Sequence, residues 1–176
     1  MATDTQQIIE HLKARYSAYR KILDIDAKGL FFSPNCMQIC GPHPTYAAKD
    51  GQTIVRYLHE AAAGGIKQVS DDKPRDQKYE GYTIRAIRED ELSFETDEVV
   101  AHAGTTTAEL KQRAKKEGWV GMRVDLWFGD RRETAMLVKV KYWWRKEGDE
   151  WVQILHDIMY MGPLDGTEGT EGEVLE

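Results

Sequence analysis

Apolar residues recur along this chain with two different periods, and the change from one to the other divides it. Near the N-terminus Ile8, Ile9, Leu12, Tyr16, Tyr19 and Leu23 fall at helical spacing, with Asp4 and Gln7 offering a capping box. The first element is therefore expected to be a helix with one stripe toward a core. After Asp24 and Asp26 a short helical or turn segment should end near Ser33-Pro34-Asn35, and Cys36-Met37-Gln38-Ile39-Cys40 reads as a short strand stopped by Gly41-Pro42. A proline-rich loop, Gly41 to Pro44, follows. Asp50-Gly51 opens another amphipathic helix, in which Ile54, Val55, Leu58, Ala61 and Ala62 share a side and Gly64-Gly65 supplies the stop. Gly65 to Lys78 is polar and aperiodic, the signature of a loop or lid.

Beyond it the period becomes two. Tyr82 to Arg88 and Glu91 to His102 read as strands joined at Glu89-Asp90, and a short helix, Ala108 to Glu117, is capped by Thr106 with Glu109 and closed by Gly118. Three long strands follow, Trp119 to Phe128, Thr134 to Arg145 and Trp151 to Met161, whose short turns make neighbours antiparallel. Alternation sorts their side chains. One face carries Val120, Met122, Val124, Leu126 and Phe128, then Val138, Val140, Tyr142 and Trp144, then Val152, Ile154, His156, Ile158 and Tyr160. The other mixes charges such as Arg123, Asp125, Lys141 and Asp157 with Trp127, Trp143 and Trp151. So many large aromatics on a polar face suggest a homodimer surface. Helices first and a twisted antiparallel sheet afterwards is an α+β layout, with the sheet curved around N-terminal helices to form an apolar conical pocket.

Composition and charge change this picture little. The chain has 176 residues, the size of one domain, and holds no apolar run near the ~20 residues of a spanning helix. Its polar start lacks a signal pattern, and two cysteines are too few for a disulfide framework, so a cytoplasmic protein with no membrane partner is expected. Net charge is −6, but residues 162–176 hold five of the 30 acids and no base, and removing them leaves 24 positive against 25 negative, about −1. A body so nearly neutral has no general attraction to phosphate backbones, which argues against nucleic acid. The division expected is a domain over residues 1–161 and a disordered acidic tail over 162–176.

Three polar groups stand on the apolar inner face: His156 and the hydroxyls of Tyr142 and Tyr160. Buried, they must bond one another or point at a cavity. The order of an N-terminal helix, Asp24-Ile25-Asp26, Phe31-Phe32-Ser33-Pro34-Asn35 leading into a strand, Lys49-Asp50-Gly51 opening a helix, Trp143-Trp144, and Gly148 to His156 on the last long strand resembles the SnoaL-like branch of the nuclear transport factor 2-like superfamily, over roughly residues 5 to 161. The resemblance implies a conical fold, frequent dimers, and a pocket used without cofactor by ketosteroid isomerases, polyketide cyclases, scytalone dehydratase and epoxide hydrolases, or used for binding alone. Those enzymes place an Asp or Glu base inside the cone, whereas Asp125 and Asp157 alternate outward here. A β-bulge would shift the register and turn either acid inward, which keeps Asp157 a second candidate.

A histidine is the natural proton shuttle near neutral pH. His156 would relay a proton beside a carbonyl, with Tyr142 or Tyr160 bonding the developing oxyanion. Trp144 and Phe128 would line an aromatic ligand's pocket, with His43 and Tyr46 at its mouth. The expected activity is cofactor-independent isomerisation, cyclisation or dehydration of a small apolar, secondary-metabolite-like molecule. The alternative is a non-catalytic small-molecule-binding or dimerisation module. Cys36, Cys40 and His43 have a superficially metal-like spacing but no fourth ligand nearby, so no metal is expected. The absence of a glycine-rich strand-to-helix turn argues against a dinucleotide.

Overall fold

The computed structural model describes residues 3–63 and 79–175, so the expected lid from Gly65 to Lys78 lies outside the described residues. The elements are α1 (Asp4–Lys21), α2 (Ile25–Lys28), β1 (Phe32–Cys40), α3 (Gly51–Ala63), β2 (Tyr79–Ala86), α4 (Asp97–Ala101), α5 (Thr107–Glu117), β3 (Val120–Gly129), β4 (Met136–Glu147), β5 (Glu150–Pro163) and β6 (Glu173–Leu175). The capping box of α1 sits one residue earlier than expected. Thr3 accepts from the Gln6 amide and the Gln6 side chain returns to the Thr3 amide, because Thr3 rather than Asp4 has the extended backbone of a cap. α5 is capped by Thr106 as its sequence implies, and ends at Gly118 in the left-handed region, φ +67°.

One curved six-stranded sheet runs in the order β1-β5-β4-β3-β2-β6, with the helices packed on it, which is the α+β cone expected. It is not wholly antiparallel. β1 pairs with β5 in parallel, a contact across more than a hundred residues on which no hairpin imposes direction. The inner face and α1 form the main core, with Leu12, Tyr16, Tyr19, Tyr82, Met122, Tyr142 and Trp144 all buried. No helix among the described residues is long and apolar enough to cross a membrane.

The segment read as a strand over Glu91 to His102 instead makes a 3-10 turn at Glu89–Glu91, an irregular stretch, and α4. Thr96 accepts from the Val99 amide, and Asp97 and Glu98 favour the positive end of the new helix, so local capping overrides the apparent alternation. This segment and α5 cover the outer face of the sheet. Phe94 stacks 4.8 Å from Trp143, Trp119 lies 6.4 Å from it, and Val100, Leu110, Ile154 and Leu155 complete a second core. Burying Phe94 or Leu155 there contributes about 1.5–3 kcal/mol each. Two of the tryptophans assigned to this face are covered from within the chain, Trp143 at 2% exposed inside the second core and Trp127 also buried, whereas Trp151 packs against the main core. Several charges of the outer face are paired. Asp125 meets Arg123 at 2.9 Å, Glu91 meets Arg85 at 2.6 Å, and Lys141 donates to the carbonyls of Glu91 and Ser93.

The acidic segment expected to be disordered is also placed. β6 pairs antiparallel with β2, setting Leu175 opposite Tyr82, while Asp165 meets Lys139 at 2.8 Å, Glu171 meets Arg85 at 3.0 Å and Glu173 meets Lys13 of α1 at 3.1 Å. The acids that made this segment look solvated are what fasten it to a basic rim.

Candidate functional site

The last turns of α1 build one end of the interior. Helical spacing brings Leu12, Tyr16 and Tyr19 onto the sheet, and Arg20 follows Tyr16 one turn later on the same stripe. The Tyr16 ring centroid is 5.0 Å from that of Tyr142 and 5.3 Å from that of Tyr82, and Tyr19 leans on Phe31 and Phe32 at 5.7 and 5.9 Å. The Tyr82 hydroxyl is buried without a hydrogen-bond partner, which is costly unless something else meets it, and the buried Tyr16 hydroxyl has only that of Tyr142 to interact with. Burial pushes the Tyr16, Tyr19 and Tyr142 hydroxyls up, so they act as neutral donors. Arg20, partly buried, holds its guanidinium carbon 5.6 Å from the Tyr82 ring centroid.

Deeper in the same wall stands His156, 4% exposed, with Tyr142 at 4.9 Å and Phe32 at 5.0 Å between ring centroids. Its Nδ1 faces the Gln38 side-chain oxygen at 3.4 Å and its Nε2 faces the Gln153 oxygen at 2.5 Å. Two amide oxygens would favour the imidazolium, yet amide dipoles carry no net charge, and burial dominates, pulling the ring down to about 3. The neutral ring has one N–H to donate. Rotating the Gln153 amide would turn its otherwise unpartnered Nε2–H onto the second nitrogen and satisfy both. Gln38 Nε2 in turn donates to the Tyr46 carbonyl at 3.0 Å, tying this wall to the proline-rich loop.

Two β-bulges in β5 decide which residues join this set. They fall opposite Trp143/Trp144 and Lys139/Val140, so alternation holds between them and flips beyond them. His156 stays inward opposite Tyr142, while Gln153 is brought inward beside it. Tyr160, expected inside, pairs with Lys139 on the outer face, where the Lys139 ammonium sits 5.3 Å from its ring centroid and its hydroxyl donates to the Pro163 carbonyl at 2.6 Å. Asp157 remains on the outer face opposite Lys141, fully buried, its carboxyl pushed well up by burial and then by the neighbouring Glu95. Trp144 and Phe128 are buried on the inner face as expected. His43 and Tyr46 stack at 5.9 Å in an exposed loop. Cys36 and Cys40 are free and buried.

A cleft of ≈ 690 Å³ opens between α2, β1 and α3, with Leu30, Phe32, Pro34 and Val55 as apolar wall and Asp26 and Asp50 at the rim. Phe32 is the partition, with the cleft on one side and His156 on the other. Sequence reasoning missed Arg20, Tyr82, Gln38 and Gln153. For Arg20 a signal existed, since it follows Tyr16 by four residues.

A family model for the SnoaL-like domain matches residues 1–176 of the chain. No curated protein sequence matches it. Among solved structures, a protein of unknown function with a cystatin-like fold from Nostoc punctiforme is similar at 15% identity, over 89% of this chain and 92% of that one, with a TM-score of 0.47. A putative calcium/calmodulin dependent protein kinase II association domain from Xanthomonas campestris is similar at 10% identity, over 86% of each chain, also with a TM-score of 0.47. Both scores are too low to carry weight, but the family match runs the length of the chain, which therefore belongs to the SnoaL-like domain family.

Proposed function

We propose that this chain binds a small, ring-bearing apolar molecule at the Phe32 cleft and the aromatic interior behind it, and that His156 shapes that wall rather than moving protons. The observation that carries this reading is the state of His156: nearly inaccessible, held neutral by burial, and flanked on the inner face by two glutamines instead of a carboxylate. A base must accept a proton near the working pH, and this ring accepts one only in strong acid. Phe31, Phe32, Tyr19 and Tyr142 supply the edges and faces that suit an aromatic ligand.

One observation favours a second reading, a cofactor-independent isomerase, cyclase or dehydratase. Tyr142 and His156 share the inner face at 4.9 Å, the kind of pairing that a relay to an oxyanion needs. It ranks lower because it asks His156 for the proton affinity that burial removes.

Histidine NMR between pH 4 and 8, with and without 2-naphthol, separates the two. Binding is expected to shift Phe32 and Tyr142 resonances while His156 stays neutral throughout. A His156 that titrates near neutrality in the complex, together with protein-catalysed deuterium exchange into 2-tetralone that His156→Gln abolishes, would establish the enzyme instead. Absence of naphthol binding would remove the binding proposal.

A further inference from the structure

Two cations, Arg20 and Lys28, lie close enough at the α1 end of the interior for the charge of one to act on the other, and among the described residues no carboxylate is paired with either. Among the described residues Arg20 makes no ion pair and no hydrogen bond, and its one close partner is the face of Tyr82. Lys28, at the end of α2, lies 4.4 Å from the Tyr19 ring centroid and donates to the Tyr19 carbonyl at 3.1 Å. Burial, and then the charge of Arg20, bring its ammonium down to about 8. Arg85, Arg113, Arg123, Arg145, Lys13 and Lys139 each have a carboxylate within 3.5 Å, while Lys141 and Arg15, which do not, are met by backbone carbonyls. Close to these two cations lie the orphaned hydroxyl of Tyr82 and that of Tyr16, which has only the neighbouring Tyr142 hydroxyl to interact with. Among the described residues the acid that acts on Arg20 is Glu80, exposed at the start of β2 and not in an ion pair with it.

Partly buried positive charge without a counterion is expensive, and so are buried hydroxyls without acceptors. A single group would settle all four: an anionic oxygen pair, taking charge-assisted bonds from Arg20 and Lys28 and ordinary ones from the two tyrosines. The surroundings limit what carries it. Tyr16, Tyr19, Tyr82 and Phe31 surround the cations with aromatic surface, which suits a planar apolar skeleton better than a strongly hydrated one. We infer that Arg20, Lys28, Tyr16 and Tyr82 form a carboxylate subsite, and that the ligand is an aromatic or polycyclic carboxylic acid. The inference rests on the binding function proposed above and adds the chemical class of its ligand.

The test compares 2-naphthoate, its methyl ester and 2-naphthol by calorimetry and NMR. The acid is expected to bind at least about tenfold more tightly than the ester, since a charge-assisted contact distinguishes them. Arg20→Gln should erase that preference, read as the ratio of acid to ester affinity within the same variant, and Lys28→Gln should reduce it. Glu80→Gln removes an acid whose charge acts on Arg20 and should strengthen naphthoate binding. If naphthol binds but the acid is no better than the ester, or if the preference survives Arg20→Gln, the carboxylate subsite is wrong and the binding proposal stands. If none of the three ligands binds, both fall.

Discussion

His156 accepts a proton in the folded chain only near pH 3, whereas an unfolded histidine does so near 6.5. Between those values the unfolded state binds more protons, so the stability tied to the neutral ring is complete above pH ~6.5 and is lost as pH falls, at no more than about 1.4 kcal/mol per unit. Urea unfolding at pH 7 and pH 5 should therefore show wild type losing about 2 kcal/mol more than His156→Gln, the carboxylates contributing equally to both. Parallel profiles would mean that the ring is solvated. At this scale the sequence placed His156, Tyr142, Trp144 and Phe128 on the inner face correctly, because strict alternation is enough to do so. It could not show Gln38 and Gln153 closing on the imidazole, since those bonds join positions up to 118 apart. Arg20 was passed over because a long cation on a helix stripe ordinarily carries its charge outward.

Helices and long strands were readable because each repeats its period over several turns or pleats, and α5 even declares both ends. Gly118 closes it at φ +67°, and a Cβ there would meet nothing within 4 Å, so only backbone preference resists substitution. Gly118→Ala should accordingly cost about 1 kcal/mol and lower Tm by roughly 2–4 °C, with no change in naphthol binding. A larger loss would point to packing that the open surroundings do not suggest. The bulges of β5 were not readable in position, since an extra residue in a strand leaves no mark in local composition. They are nonetheless what sends Tyr160 outward and Gln153 inward. The stretch from Glu91 to His102 misled for a related reason: Phe94 and Val100 are buried against the outer face by a turn and a short helix, and their spacing imitates a strand.

For the molecule as a whole, the last segment holds an edge as well as a rim. β6 covers the hydrogen-bonding edge of β2, and Glu173 links it to α1, so the sheet and its first helix are clasped by the same few residues. Deleting residues 164–176 should leave the outer edge of β2 unpaired and produce concentration-dependent self-association by sedimentation. A truncated chain that sediments like the full one would show the edge to be protected otherwise. The other margin, β1 against β5, has a consequence in time. Chain synthesis delivers β1 first, and its neighbour in the sheet begins only at Glu150. At ~5–20 residues per second, the strand that walls the cleft waits on the order of 5–20 seconds for anything to pair with. For that interval the nascent chain presents Phe31, Phe32, Met37 and Ile39 to solvent or to chaperones, and the cleft beside Phe32 is among the last parts of the protein to exist.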